Sequence, residues 1–76
     1  MPELTEVDFQ IILEMADNNM NESETARVLF MHRNNVVYHI QKIKRLTGLD
    51  AANFYDLVKL VEIARNGGAG SGTAED

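Results

Sequence analysis

The chain has no cysteine, so no disulfide and no thiolate metal site can be part of it. This fits a reducing, cytoplasmic setting. No run of about 18 apolar residues occurs, which excludes a helical membrane span. The start, MPELTEVDF, lacks a basic stretch and a small-residue cleavage site, so a signal peptide is not expected. The most informative absence lies inside the chain. Between Thr25 and Leu49 there is not one Asp or Glu, and that window holds Arg27, Arg33, Lys42, Lys44 and Arg45, five of the seven bases. All 12 acids lie outside it, and residues 1–24 carry acids but no base. The net charge of −5 argues against a nucleic-acid partner, yet the distribution permits one basic face on an otherwise acidic molecule.

Seventy-six residues with 45% hydrophobic content suit one small globular domain with a modest core, a size at which oligomerisation often adds stability. Three pairs of capping residues mark helix starts: Thr5 with Asp8, Asn21 with Glu24, and Asn53 with Asp56. Helix 1 is expected from about Glu6 to Asp17, with Phe9, Ile12, Leu13 and Ala16 as its inward stripe. Asn18 and Asn19 suit a left-handed stop. Helix 2 is expected from about Glu22 to Leu29, with Ala26 and Leu29 inward.

Phe30 and Met31 fall in the turn that follows. Positive φ at this place normally calls for Gly, so Phe30 implies either another turn geometry or a buried ring. Helix 3 is expected from His32 or Arg33 to Thr47, stopped by Gly48. Its stripe is Val36, Ile40, Ile43 and Thr47, with Leu46 beside it. The opposite face carries Asn34, Tyr38, Gln41 and Arg45. Helix 4 is expected from Phe54 to Arg65, with Phe54, Leu57, Val58, Val61 and Ala64 inward. Leu60 and Ile63 then exceed what one small core needs and suggest a homodimer surface, the alternative being that they wrap a loose helical core. The architecture is thus an all-α, four-helix domain over residues 1–66, with a Gly-rich, disordered tail over 67–76.

A short helix, a tight turn and a longer basic helix form the geometry of a helix-turn-helix, whose second helix enters a DNA major groove. On that reading Asn34 and Asn35 can pair with adenine, and Arg33 with guanine or phosphate. Tyr38 and Gln41 line the same face. Ser23, His32 and Lys42 hold the phosphate backbone. The plainer alternative makes the asparagines first-turn residues and the bases solubilising charge. His32 and His39 are seven apart, about 10 Å along a helix, too far for one ion to bridge. His32 suits an N-cap or a phosphate donor, and His39 the edge of the core. Catalysis has little support, because Ser23 has no evident base and there is no Gly-rich phosphate loop or Cys nucleophile. No cofactor is expected.

The stretch SETARVLFMHRNNVVYHIQKIKRLTGLD resembles the C-terminal helix-turn-helix of the PucR and sugar-diacid-regulator family of bacterial transcription factors. That family shows a pattern like SETA-x-x-LF-x-HRNT-x-x-YR-x-x-x-I-x-x-LTGLD. Ser23, Glu24, Thr25, Ala26, Leu29, Phe30, His32, Arg33, Asn34, Tyr38, Ile43, Leu46, Thr47, Gly48, Leu49 and Asp50 agree with it. The Fis-type DNA-binding domain is a more distant likeness. The resemblance implies double-stranded DNA as partner, control of transcription, and dimers on paired half-sites. It also accounts for Phe30 in place of a turn Gly. Three positions depart from the pattern: Asn35 replaces Thr, and Val37 and His39 stand where Arg is frequent. Two positive charges are therefore missing, which implies weaker binding and a shallower salt dependence. Val37 could instead touch a thymine methyl. A lapsed DNA role, leaving a protein-interaction module, is the alternative. The family's domain usually follows a large sensory region, so the chain is either one domain of a longer protein or a small stand-alone one.

Overall fold

The computed structural model describes residues 4–68, and all regular structure among them is helical. Helices α1 (Glu6–Asp17), α2 (Glu22–Val28), α3 (Arg33–Thr47) and α4 (Phe54–Ile63) follow one another, and α4 runs on into a π-helical segment, Ala64–Gly68. The fold is all-α. Helix α4 is slightly shorter than its periodicity suggests, and the π-helical segment extends into the stretch read as a tail. Residues 69–76, the rest of that stretch, lie outside the described residues.

Each helix starts where its cap predicts. Thr5 and Asp8 form a reciprocal capping box: the Asp8 N–H donates to Thr5 Oγ1 at 3.2 Å, and the Thr5 N–H donates to Asp8 Oδ2 at 2.9 Å. Asn21 accepts from the Glu24 N–H, and Asn53 from the Asp56 N–H. Asp56 does not complete a box; its carboxylate accepts instead from the Asp50 N–H and braces the α3–α4 connector. Gly48 ends α3 at φ +78°. A Cβ there would meet nothing within 4 Å, so conformation rather than space calls for glycine.

The two earlier turns use left-handed residues that are not glycine. Asn19 and Met20 have φ +56° and +62° and reverse the chain between α1 and α2. Phe30 has φ +57°. The Met31 N–H donates back to the Ala26 carbonyl and the Phe30 N–H to that of Arg27, a Schellman ending of α2 with Phe in the left-handed position. Neither accommodation expected for Phe30 occurs: the left-handed turn is kept, and the ring is 96% exposed. The two hydrogen bonds that close the turn offset the backbone strain.

Helix α1 lies at the centre and packs on α2, α3 and α4, while α2 packs on α3. The core is Ile11, Ile12, Met15, Ala26, Val36, Ile40, Ile43, Ala51, Leu57, Leu60 and Ala64. In the α3 stripe Val36, Ile40 and Ile43 are buried as expected, while Leu46 and Thr47 are partly buried. The α1 stripe is rotated. Its buried positions are Asp8, Ile11, Ile12 and Met15; Phe9 and Leu13 are only partly buried, and Ala16 is exposed. The series 8, 11, 12, 15 has true helical spacing. It was hidden because a carboxylate occupies its first position.

Helix α4 is corrected in the same way. Leu57, Leu60 and Ala64 are buried and Val61 half-buried, whereas Phe54 and Val58 are exposed. Leu60 is a core residue with no exposure and cannot form part of a dimer surface. Asp56, Lys59 and Glu62 mark one polar side of α4, but the apolar arc opposite is wide, and periodicity alone did not select which part of it faces inward.

Candidate nucleic-acid interface

Helix α3 shows solvent a polar face. Asn34, Asn35, Tyr38, Gln41, Lys44 and Arg45 are all exposed, while Val36, Ile40 and Ile43 anchor the helix from behind. The face is open because the buried stripe is narrow. The first turn of α3 holds no acid, and Lys44 and Arg45 sit in the last turn, where cations suit the helix dipole.

His32 caps α3. Its Nδ1 accepts from the Asn34 N–H at 3.1 Å. In a neutral ring that places the proton on Nε2, which is then free to donate outward. The cap and the phosphate-donor roles are therefore compatible. Ser23 is exposed in the first turn of α2, close in sequence to the Asn21 cap.

The basic window is not left to itself. Acids from outside it reach in and pair with three of its bases. Arg27 pairs with Glu24 on α2, and Arg33 Nη2 donates to Glu22 Oε1 at 2.9 Å. Lys42 Nζ lies 2.9 Å from Asp8 Oδ2. On the other oxygen of the same carboxylate, His39 Nδ1 sits at 2.7 Å. Among the described residues, Lys44 and Arg45 are the bases of α3 without such a partner.

The Asp8 cluster is a buried polar feature that joins α1 to α3. Asp8 is fully buried, and Lys42 and His39 cover it from α3. Burial pushes the Asp8 carboxyl up. The Thr5 backbone N–H, the Lys42 ammonium, the His39 ring and the Thr5 hydroxyl together outweigh it and hold the carboxyl below its ordinary value. A buried carboxylate needs such partners, since an unpaired charge there would be far too costly. Lys42 thus has an internal partner where a backbone-phosphate role was expected. His39 does lie at the edge of the core.

Two features escaped the sequence reading. Asp8 was read as a cap alone, although its place at the head of the series 8, 11, 12, 15 signals a buried group. Thr25 is fully buried, its hydroxyl without a partner among the described residues, which nothing in the local pattern announces.

A capped short helix, a left-handed turn and a longer helix with an open polar face define a helix-turn-helix domain. The chain belongs to the family described as the PucR C-terminal helix-turn-helix domain, which matches residues 3–62. Over 43 residues, 57% of the chain, it is 42% identical to the carbohydrate diacid regulator of Escherichia coli strain K12. The match spans 11% of that relative's length. No solved structure gives a significant match. No helix among the described residues is long and apolar enough to cross a membrane.

Proposed function

We propose that this domain binds double-stranded DNA sequence-specifically in bacterial transcription regulation, with α3 in the major groove. The exposed, acid-free face of α3 is the observation that carries this reading. Arg33, Asn34, Asn35, Tyr38 and Gln41 face base edges. Ser23 and His32, at the starts of α2 and α3, hold phosphates. Lys44 and Arg45 add unpaired positive charge. Lys42 contributes only if DNA draws it away from Asp8. Family membership supports a regulator role rather than an enzymatic one. The setting is the cytoplasm, where such DNA lies.

The test is an NMR titration of labelled protein with short mixed-sequence duplexes at low and then moderate salt. Shifts confined to residues 33–45 and the start of α2, fading with salt, are expected. No movement there at low salt would reject the reading.

A homodimer would pair two such faces on a palindromic site. We place its surface on the side of α4 that carries Phe54 and Val58, both exposed; Ile63, also exposed, lies on the opposite side of the helix. Phe54 and Val58 line an apolar groove of about 450 Å³, edged by Glu62 and Arg65. A patch that carries both signs can pair with its own two-fold copy. Sedimentation that gives a monomer at high concentration, with and without DNA, would remove this interface.

A second reading, a protein-interaction module that has lost DNA binding, is favoured by one observation. Glu22, Glu24 and Asp8 break the positive surface that the basic window would otherwise form.

A further inference from the structure

Arg33 is the first residue of α3 and Glu22 the first residue of α2. Their ion pair therefore ties together the leading ends of the two helices that flank the Phe30 turn. Glu22 is the more covered member, its side chain 25% exposed against 56% for Arg33. The arginine uses a single contact, Nη2 to Oε1 at 2.9 Å. Nε, Nη1 and the second hydrogen of Nη2 have no partner among the described residues.

Glu22 is poorly placed for simple attraction to DNA. A carboxylate beside a phosphate backbone repels it and lowers affinity for every sequence alike. What the carboxylate provides is geometry. A guanidinium is a rigid planar fork on a long flexible stem, and it recognises guanine O6 and N7 only when two N–H groups arrive together in plane. Holding one terminal nitrogen restricts the stem and leaves a two-donor edge of the fork free.

We propose that Glu22 is a positioning and specificity-determining residue for Arg33. Its carboxylate holds the guanidinium so that the free edge reads one guanine at the head of the recognition helix. The inference rests on the DNA-binding reading above. Glu22 exchanges general affinity for discrimination at one base pair.

The experiment begins by selecting duplexes from a random pool with the wild-type protein. Affinities for the selected site and for each single-base-pair variant are then measured for wild type, Glu22→Ala and Arg33→Lys. Wild type is expected to discriminate about 5- to 150-fold at the guanine position, the span that a bidentate contact supports. Glu22→Ala, which removes the acceptor, should reduce this to about threefold or less at that position alone. It should bind non-specific duplex no more weakly than wild type, with a steeper salt dependence, because one repulsive charge is gone. Arg33→Lys should lose discrimination at the same base pair.

Glu22→Ala with discrimination intact at every position overturns the role of Glu22 while leaving DNA binding in place. So does a loss at a different position from that of Arg33→Lys, or an equal loss at all positions. A wild-type protein that binds no duplex at low salt removes the DNA reading and this inference together.

Discussion

The Lys42 ammonium lies 2.9 Å from Oδ2 of Asp8, a carboxylate with no solvent exposure. The pair joins the first turns of α1 to the outer half of α3. The same carboxylate also accepts from the Thr5 N–H and meets His39, so the start of α1, its own cap and α3 are fastened at one buried point. This point holds α3 at a fixed pitch against α1.

Asp8→Asn should destabilise the domain by about 3 kcal/mol, the low end for breaking a buried pair, because Lys42 is partly exposed and can turn to solvent. Urea denaturation checks this. The pH dependence follows from the lowered pKa of Asp8. Its contribution is fully present above the ordinary value of 3.8 and is lost as pH falls through the lower folded-state value. Wild type should therefore lose stability in acid below about pH 4, and the Asn variant should lose less over the same range.

Phe30→Gly should stabilise the domain by about 1 kcal/mol, since it removes left-handed strain and gives up no burial. A rise in the thermal midpoint is expected. Gly48→Ala should move the midpoint the other way, through the same backbone term.

Thr25→Val should also stabilise, by about 1 kcal/mol, because it replaces an unpaired buried hydroxyl with a methyl of similar shape. Chemical denaturation with an unchanged slope would confirm that only stability had moved.

Leu60→Ala should cost about 2–5 kcal/mol as a core truncation. Val58→Asp should leave monomer stability nearly unchanged and weaken self-association. Sedimentation of the two variants separates core from surface on one helix.

Removing both Lys44 and Arg45 should lower the slope of log affinity against log salt by about two on a cognate duplex. Lys42→Ala should instead lower the unfolding free energy and leave that slope nearly unchanged. Arg33→Ala should weaken cognate binding markedly, as a fluorescence anisotropy titration would show.

Much of this domain was legible in the chain because local chemistry acts over three or four residues. The Thr5, Asn21 and Asn53 caps, the Gly48 stop and the 3.6-residue stripe of α3 are short-range signals, and each held. So did the open face of Asn34, Tyr38, Gln41 and Arg45, which follows once the buried stripe is known. The inward faces of α1 and α4 were less legible. In α1 a carboxylate stands at a core position, and in α4 the apolar arc is wider than the face that is buried.

The sequence alone determined that a helix-turn-helix with a basic window would form, because capping, periodicity and charge order are local properties. Only the tertiary structure decided how that charge is used. Asp8 and Lys42, or Glu22 and Arg33, lie on different helices, and electrostatic pairing depends on distance in space. The packing of α1 and α2 against α3 brings external acids onto the acid-free window. The same packing leaves Lys44 and Arg45 without an acid partner among the described residues and buries Leu60 instead of offering it to a partner.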